Sequence, residues 1–257
     1  MILAVSIGNS HITFGVHGKE GWLRRFRIQT VQAKTPDEYS VLFGGLLASA
    51  GIAPDAVDSL IMASVVPPLT AAIGETVGGL TGREPLLLSH GLDTGLRILT
   101  ENPAEVGLDL VANAIAAYAM FGGNCIVVDF GTALSFTAVA AGGELRGVAI
   151  APGLASAVDS LAGDTAQLPR IPLAPPPCAI GRNTVHSMQA GVVLGYVGLT
   201  ESLISRMRAE LGGTAQVVVT GGHSRLMAPL LGVGAAHEPW LTLEGLRIVA
   251  ERNRGKG

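Results

Sequence analysis

Short apolar blocks recur along the chain, separated by glycine and proline turns. Leu3, Ala4 and Val5 read as a strand, Gly8 and Asn9 as a tight turn, and Ile12 to Phe14 as the returning strand. Helical spacing then takes over. Tyr39, Leu42, Phe43, Leu46 and Leu47 fall on one apolar face. Its start is signed by Thr35 as N-cap, Pro36 in the first turn and Glu38 completing a capping box. The segment SLIMASVVPPL reads as a strand running into a stop at Pro67-Pro68, and EVGLDLVANAIAAYAMFGG as a second helix. That helix is entered near Asp109 and ended by Gly122-Gly123. From Asn124 to Gly153 the pattern is strand, glycine turn, strand, Gly-Gly hairpin, strand. LPRIPLAPPPCAIG is an extended loop. Asn183 or Thr184 caps a long helix running to about Leu211. QVVVTGG is a late strand, and LTLEGLRIVAERN a final helix that Thr242 can cap.

Alternation of strands and helices places the chain in the α/β class. One pattern occurs twice. LAVSIGNSHITFGV and IVVDFGTALSFTAV both read apolar strand, X-(Ile/Phe)-Gly-(Asn/Thr), polar turn, strand. They begin about half a chain apart, which points to an internal duplication with one copy per lobe.

The composition agrees with a buried core. Of 257 residues, 48% are hydrophobic and 14% charged, enough for one large domain or two compact lobes. The net charge is −3, and the only basic runs are Arg24-Arg25 and the short tail, which argues against a general nucleic-acid binder. Cys125 and Cys178 form neither a zinc pattern nor a disulfide framework, and both read as small buried apolar residues. No apolar stretch approaches a membrane span. The first strand begins at Ile2, leaving no room for a signal peptide, so a cytoplasmic location is expected.

Four places could carry chemistry. Asp129 ends the strand CIVV before Phe130-Gly131-Thr132; it is either a turn-forming Asp or a carboxylate holding a cation beside a phosphate. Asp109 is either a helix cap or a general base taking a proton from an attacking hydroxyl. Gly221-Gly222 lets backbone approach a flat ligand such as adenine, although glycine pairs end many strands. The turn after the first strand has the form of a phosphate loop, yet Ser6 stands where such loops carry an acid. His11, His186, His223 and His237 lack metal spacing and read as surface or loop residues.

Taken together, these segments resemble type III pantothenate kinases over nearly the whole length. RIQT, TPDEY, SVVPPLT, NPAEVGLD, VVDFGTA, GVAIAPG, LPR, IGRNTVHSMQAG, VVVTGGHS and LTLEGLRIVAERN follow in the family's order. The resemblance implies the duplicated ribonuclease-H-like fold of acetate kinase, sugar kinases, actin and chaperone ATPases. Its lobes would be residues 1–115 and 116–257, enclosing ATP, in a homodimer with substrate sites near the dimer interface. It implies transfer of the γ-phosphate of ATP to the primary hydroxyl of pantothenate, with Mg²⁺ and a monovalent cation, K⁺ or NH₄⁺. By motif, Asp109 matches the general base and Asp129 the potassium-site aspartate. Ser6, Ile7, Gly8, Asn9, Ser10, His11, Ile12 and Thr13 match the first phosphate loop; Thr132 matches a residue at the ATP phosphates. Gly221 and Gly222 resemble the adenosine-side turn. Gly107, Leu108, Asp109 and Leu110 match the pantothenate segment, and Thr184 a substrate contact.

Three segments depart from the family pattern. The first loop of the family reads Asp-x-Gly-Asn-Thr where this chain has Ser6-Ile7-Gly8-Asn9-Ser10. Its substrate segment reads Gly-Ala-Asp-Arg where this chain has Gly107-Leu108-Asp109-Leu110, and Thr100 replaces an aromatic before Asn102-Pro103. Phosphoryl transfer depends on positioning and charge neutralisation, so a lost acid and a lost arginine bear directly on function. The resemblance implies a pantothenate kinase. The departures leave two alternatives: an impaired relative that binds nucleotide or regulates, and a kinase for another small hydroxyl substrate.

Overall fold

The computed structural model describes residues 1–255. Its first block folds as the pattern requires. β1 (Ile2–Ile7) is buried throughout and runs antiparallel to β2 (His11–Gly18), with Ser6 opposite Thr13 and Ile7 opposite Ile12. β3 (Gly21–Gln29) continues the meander. In α1 (Pro36–Ser49) the capping box is complete: the Glu38 N–H donates to Thr35 Oγ1 at 3.3 Å, and the Thr35 N–H donates to Glu38 Oε2 at 2.9 Å. Tyr39, Phe43 and Leu47 are buried, with Leu42 and Leu46 packed at the margin.

β4 (Ser59–Ser64) returns parallel to β1. Pro67-Pro68 then begins an element where a stop was expected. It opens α2 (Pro67–Thr81), because a proline in the first turn loses no intrahelical hydrogen bond. β5 (Leu86–Leu87) completes a sheet of order β3-β2-β1-β4-β5.

After β6 (Arg97–Ile98) and α3 (Leu108–Phe121), the second copy follows. β7 (Cys125–Phe130), β8 (Ala133–Ala140) and β9 (Glu144–Pro152) form the meander. α4 (Leu154–Asp164) leads into the proline loop. Asn183, whose Oδ1 accepts from the His186 N–H at 2.8 Å, caps α5 (Thr184–Gln189). A π-helical turn, Ala190–Leu194, joins it to α6 (Gly195–Glu210). β10 (Gln216–Thr220), α7 (Ser224–Met227), β11 (Ala236–His237) and α8 (Leu241–Arg252) close the chain.

The second sheet has the order β11-β10-β7-β8-β9-β6. Without β6 this is the first sheet repeated, and the strand senses agree pair by pair. Even the register slips agree: Val16/His17 and Ala138/Val139 stand equally far beyond Ile12 and Leu134. The duplication therefore extends to hydrogen-bond register. Ser6, opposite Thr13 and Ala63, occupies the position that Asp129, opposite Ser135 and Thr220, holds in the second copy.

Contacts divide the chain into two units. One comprises Met1–Leu96, Asn102–Ala116 and the chain from Leu241; the other comprises Arg97–Glu101 and Ala117–Trp240. Each has its own core, around Phe14, Tyr39, Phe43 and Met62 in the first and Phe130, Phe136, Val193 and Ile204 in the second. Against a division after residue 115, the notable difference is α8. Its Leu241, Leu243, Leu246 and Val249 are buried, and it packs on β1 and β4 of the first unit. Thr242 does not cap this helix. The helix begins one residue earlier, and the Thr242 hydroxyl donates to Asn113 Oδ1 at 2.7 Å. Cys125 is buried as expected, but Cys178 is exposed, because the proline loop carries it on the surface. Among the described residues no helix is long and apolar enough to cross a membrane.

Candidate active site

In the first unit, the turn after β1 is closed by the Gly8 N–H donating to His11 O at 3.0 Å. Thr30, just past β3, holds it from outside: its Oγ1 donates to Gly8 O at 2.7 Å and its N–H to Ser10 O at 3.0 Å. Sequence reading did not single out Thr30, whose only signal was a hydroxyl ending the motif RIQT. Asn9, Ser10 and His11 are exposed, whereas the Ile7 and Ile12 side chains belong to the core and leave only backbone to a ligand. Ser6 is buried and Thr13 half-buried. Burial, together with the charge of Arg27, lowers the His11 pKa.

Asp109 is the second residue of α3 and is half-buried. Its Oδ1 accepts from the adjacent Leu110 N–H at 2.9 Å. A side chain at the N-cap would instead take an N–H two or three residues on, so Asp109 is not the N-cap but serves the first turn from inside the helix. Gly107 leaves room for the carboxylate: a Cβ there would stand 2.6 Å from Oδ1. Burial raises the Asp109 pKa, and backbone N–H groups, that of Leu110 foremost, pull it partly back. Gly107, Leu108 and Leu110 surround it, all partly exposed.

In the second unit, Asp129 is the penultimate residue of β7. The turn after β10 folds over the same strand end, with the His223 N–H donating to Phe130 O at 3.0 Å. Gly221 has φ +95°, and a Cβ there would collide with Asp129 Oδ1 and the Phe130 backbone. A Cβ on Gly131 would stand 3.1 Å from the same oxygen. Two glycines thus form a cradle around one carboxylate. The Ser224 hydroxyl bonds Gly221 O at 2.7 Å and fixes the turn, while Gly222 is exposed.

Thr132 is exposed between β7 and β8. Its backbone packs against Gly153 so closely that a Cβ on Gly153 would collide with Thr132 O. Gly153 is the N-cap of α4 and gives it no side-chain bond, so an uncapped helix start lies beside Thr132. Sequence reading missed both; the signal was a glycine before Leu154 and Val158 at helical spacing. Thr184 opens α5 and is exposed. The Thr100 hydroxyl is buried and has no hydrogen-bond partner.

The donors suit a phosphate-bound cation better than a protein-caged one. Among the described residues no group of three or more His, Cys, Asp and Glu is arranged to hold a metal. A Mg²⁺ carried by ATP needs at most one or two carboxylates, since phosphates and water fill the other positions. Asp129, in its glycine cradle at the end of β7, is a single carboxylate of the second unit.

The family model for type III pantothenate kinase matches residues 2–206. A type III pantothenate kinase of Moorella thermoacetica is 44% identical over 253 residues, covering 98% of this chain and 100% of that one. A Baf family protein from Campylobacter jejuni superposes with a TM-score of 0.57 at 16% identity, over 99% of this chain and 100% of that one. The ROK hexokinase from Thermus thermophilus gives 0.50 at 14% identity, over 97% of this chain and 98% of that one. At such identities these two structures show the fold alone: the duplicated α/β architecture of the actin-like ATPases.

Proposed function

This chain belongs to the type III pantothenate kinase family, whose members phosphorylate pantothenate with ATP as the first step of coenzyme A synthesis, and on that premise we propose how its residues divide the work. Asp109 is the general base. It takes the proton of the pantothenate primary hydroxyl as that oxygen bonds to the γ-phosphorus. The bond from the γ-phosphorus to its bridging oxygen breaks, and ADP leaves. The observation that carries this role is a half-buried carboxylate, steadied at one oxygen by the Leu110 N–H and raised in pKa by burial. A raised carboxylate is a stronger base for a hydroxyl proton.

The exposed backbone of Gly8 to His11 and the hydroxyl of Ser10 face phosphate, in a turn kept rigid by Thr30. Thr132 binds phosphate together with the N–H groups at the start of α4, where an anion is favoured. Gly221 and Gly222 form the adenosine-side turn. Asp129 holds K⁺ or NH₄⁺ in its glycine cradle. Bound with ATP, Mg²⁺ supplies charge neutralisation at the phosphates. Ser6 adds no negative charge. Gly107 to Leu110, Thr100 and Thr184 contact pantothenate, and the unpartnered Thr100 hydroxyl is a group that bound substrate would satisfy. The reaction is assigned to the cytoplasm.

Asp129→Ala is expected to weaken activation by K⁺ or NH₄⁺, read as initial rate against cation concentration. Unchanged activation would move the cation elsewhere. The active form is a homodimer. This is supported by exposed apolar side chains on the second unit, among them Ile150 at 70% and Ile180 at 82%. Light scattering at micromolar concentration should give twice the chain mass of 26.3 kDa. A stable monomer would contradict the dimer.

A further inference from the structure

The division of labour above gives the last helix no part, and the matched residues 2–206 do not reach it. α8 nevertheless meets α3 at two points within the first unit. At Gly245 the contact is backbone-close: a Cβ there would collide with the Ala112 carbonyl oxygen and stand 3.0 Å from Ala112 Cα. At Thr242 the hydroxyl donates to Oδ1 of Asn113, a side chain with no exposure at all. Ala112 and Asn113 stand three and four residues beyond Asp109, on the same helix face one turn later.

The far side of α8 is fastened as well. Trp22 Nε1 donates to Glu244 Oε2 at 2.9 Å, and Arg247 pairs with both Glu244 and Glu251 at 2.6 Å. Arg252 pairs with Asp93 at 3.0 Å, and Asn253 Nδ2 donates to Asp93 O at 3.0 Å. Apolar burial by Leu241, Leu243, Leu246 and Val249 is enough to dock the helix. Such burial is non-directional, whereas a part-buried hydrogen bond to the fully buried Asn113 fixes one register of α8 on α3.

We propose that Thr242 and Gly245 are positioning residues for the reaction: through Asn113 and Ala112 they clamp α3 and hold the Asp109 carboxylate in line with the substrate hydroxyl. This rests on the reading of Asp109 as the base. Thr242→Val keeps the side-chain shape and removes the donor; Thr242→Ser keeps the donor. A small misplacement of a catalytic group is costly in rate, up to about 10²-fold for 1 Å. Thr242→Val is therefore expected to lower kcat about tenfold with the KM for ATP little changed. It should also shift the acidic limb of the kcat/KM pH profile, which reports the base in the free enzyme. Thr242→Ser should restore both.

Rates are measured well below each variant's melting temperature, with folding checked by circular dichroism. Thr242→Ala removes the same bond with less bulk and serves if the valine variant does not fold. A lowered melting temperature with wild-type kcat and pH profile would overturn the clamp. Asp109→Asn, assayed alongside, separates the two readings. If it is inactive while Thr242→Val is unimpaired, only the clamp fails; if it is active, the base assignment fails and the clamp with it.

Discussion

Asp109→Asn should lower phosphopantothenate formation by about 10²–10⁴-fold while ATP binding survives. The amide oxygen can still accept the Leu110 N–H, so the start of α3 is preserved. What is lost is the group that takes the hydroxyl proton. Stability should move the other way. Burial raises the Asp109 pKa, with backbone hydrogen bonds opposing, so the folded chain keeps its proton over a pH range where the unfolded chain has lost it. Stability falls as pH rises through that range, and at pH 7 the buried charge is a standing cost. The asparagine variant should therefore melt higher than the wild type at pH 7. The gain should vanish below the ordinary aspartate pKa of about 3.9. Thermal melts across pH beside kcat measurements check both halves. An active variant would show that Asp109 serves only the helix start.

Ser6→Asp carries the second large effect, a rise in rate. The register equivalence places Ser6 where the second copy has Asp129, and the family pattern places an acid there too. A correctly placed metal ligand contributes to several kcal/mol of transition-state stabilisation. Recovering about 2.7 kcal/mol would raise the rate about a hundredfold. The site is buried, so the new carboxylate should lower the melting temperature without Mg-ATP and regain it when Mg-ATP is bound. Adding Leu110→Arg should lower the pantothenate concentration needed, since a guanidinium can bind the substrate carboxylate bidentately. Kinetics and Mg²⁺ titration decide. Weaker ATP binding with no gain in rate would mean that the loop has adapted to work without an acid.

Local signals were the ones the sequence carried clearly. The Thr35–Glu38 box spans four residues, and the structure contains it atom for atom. The duplicated turn was legible because strand, glycine and returning strand are contiguous. Its deeper consequence, that Ser6 and Asp129 are equivalent, needed the pairing register. Pro67-Pro68 was ambiguous, because proline both stops strands and opens helices. α4 buries only Leu154 and Val158, too thin a stripe to stand out. β5, β6 and β11 have two residues each and exist through their long-range partners. The Thr30 clamp and the Thr242–Asn113 bond join residues 20 or more apart, with little in either neighbourhood to announce them. Cys178 misled because cysteine is so often buried, while the flanking prolines held the segment on the surface.

The central claim is that this chain phosphorylates pantothenate although Ser6 and Leu110 depart from the family pattern. The direct measurement is mass detection of the product from purified protein, Mg-ATP and K⁺, with and without pantothenate. The account predicts 4′-phosphopantothenate, with ADP formed in equal amount and only when pantothenate is present. ATP binding with no phosphopantothenate at any pantothenate concentration would contradict it.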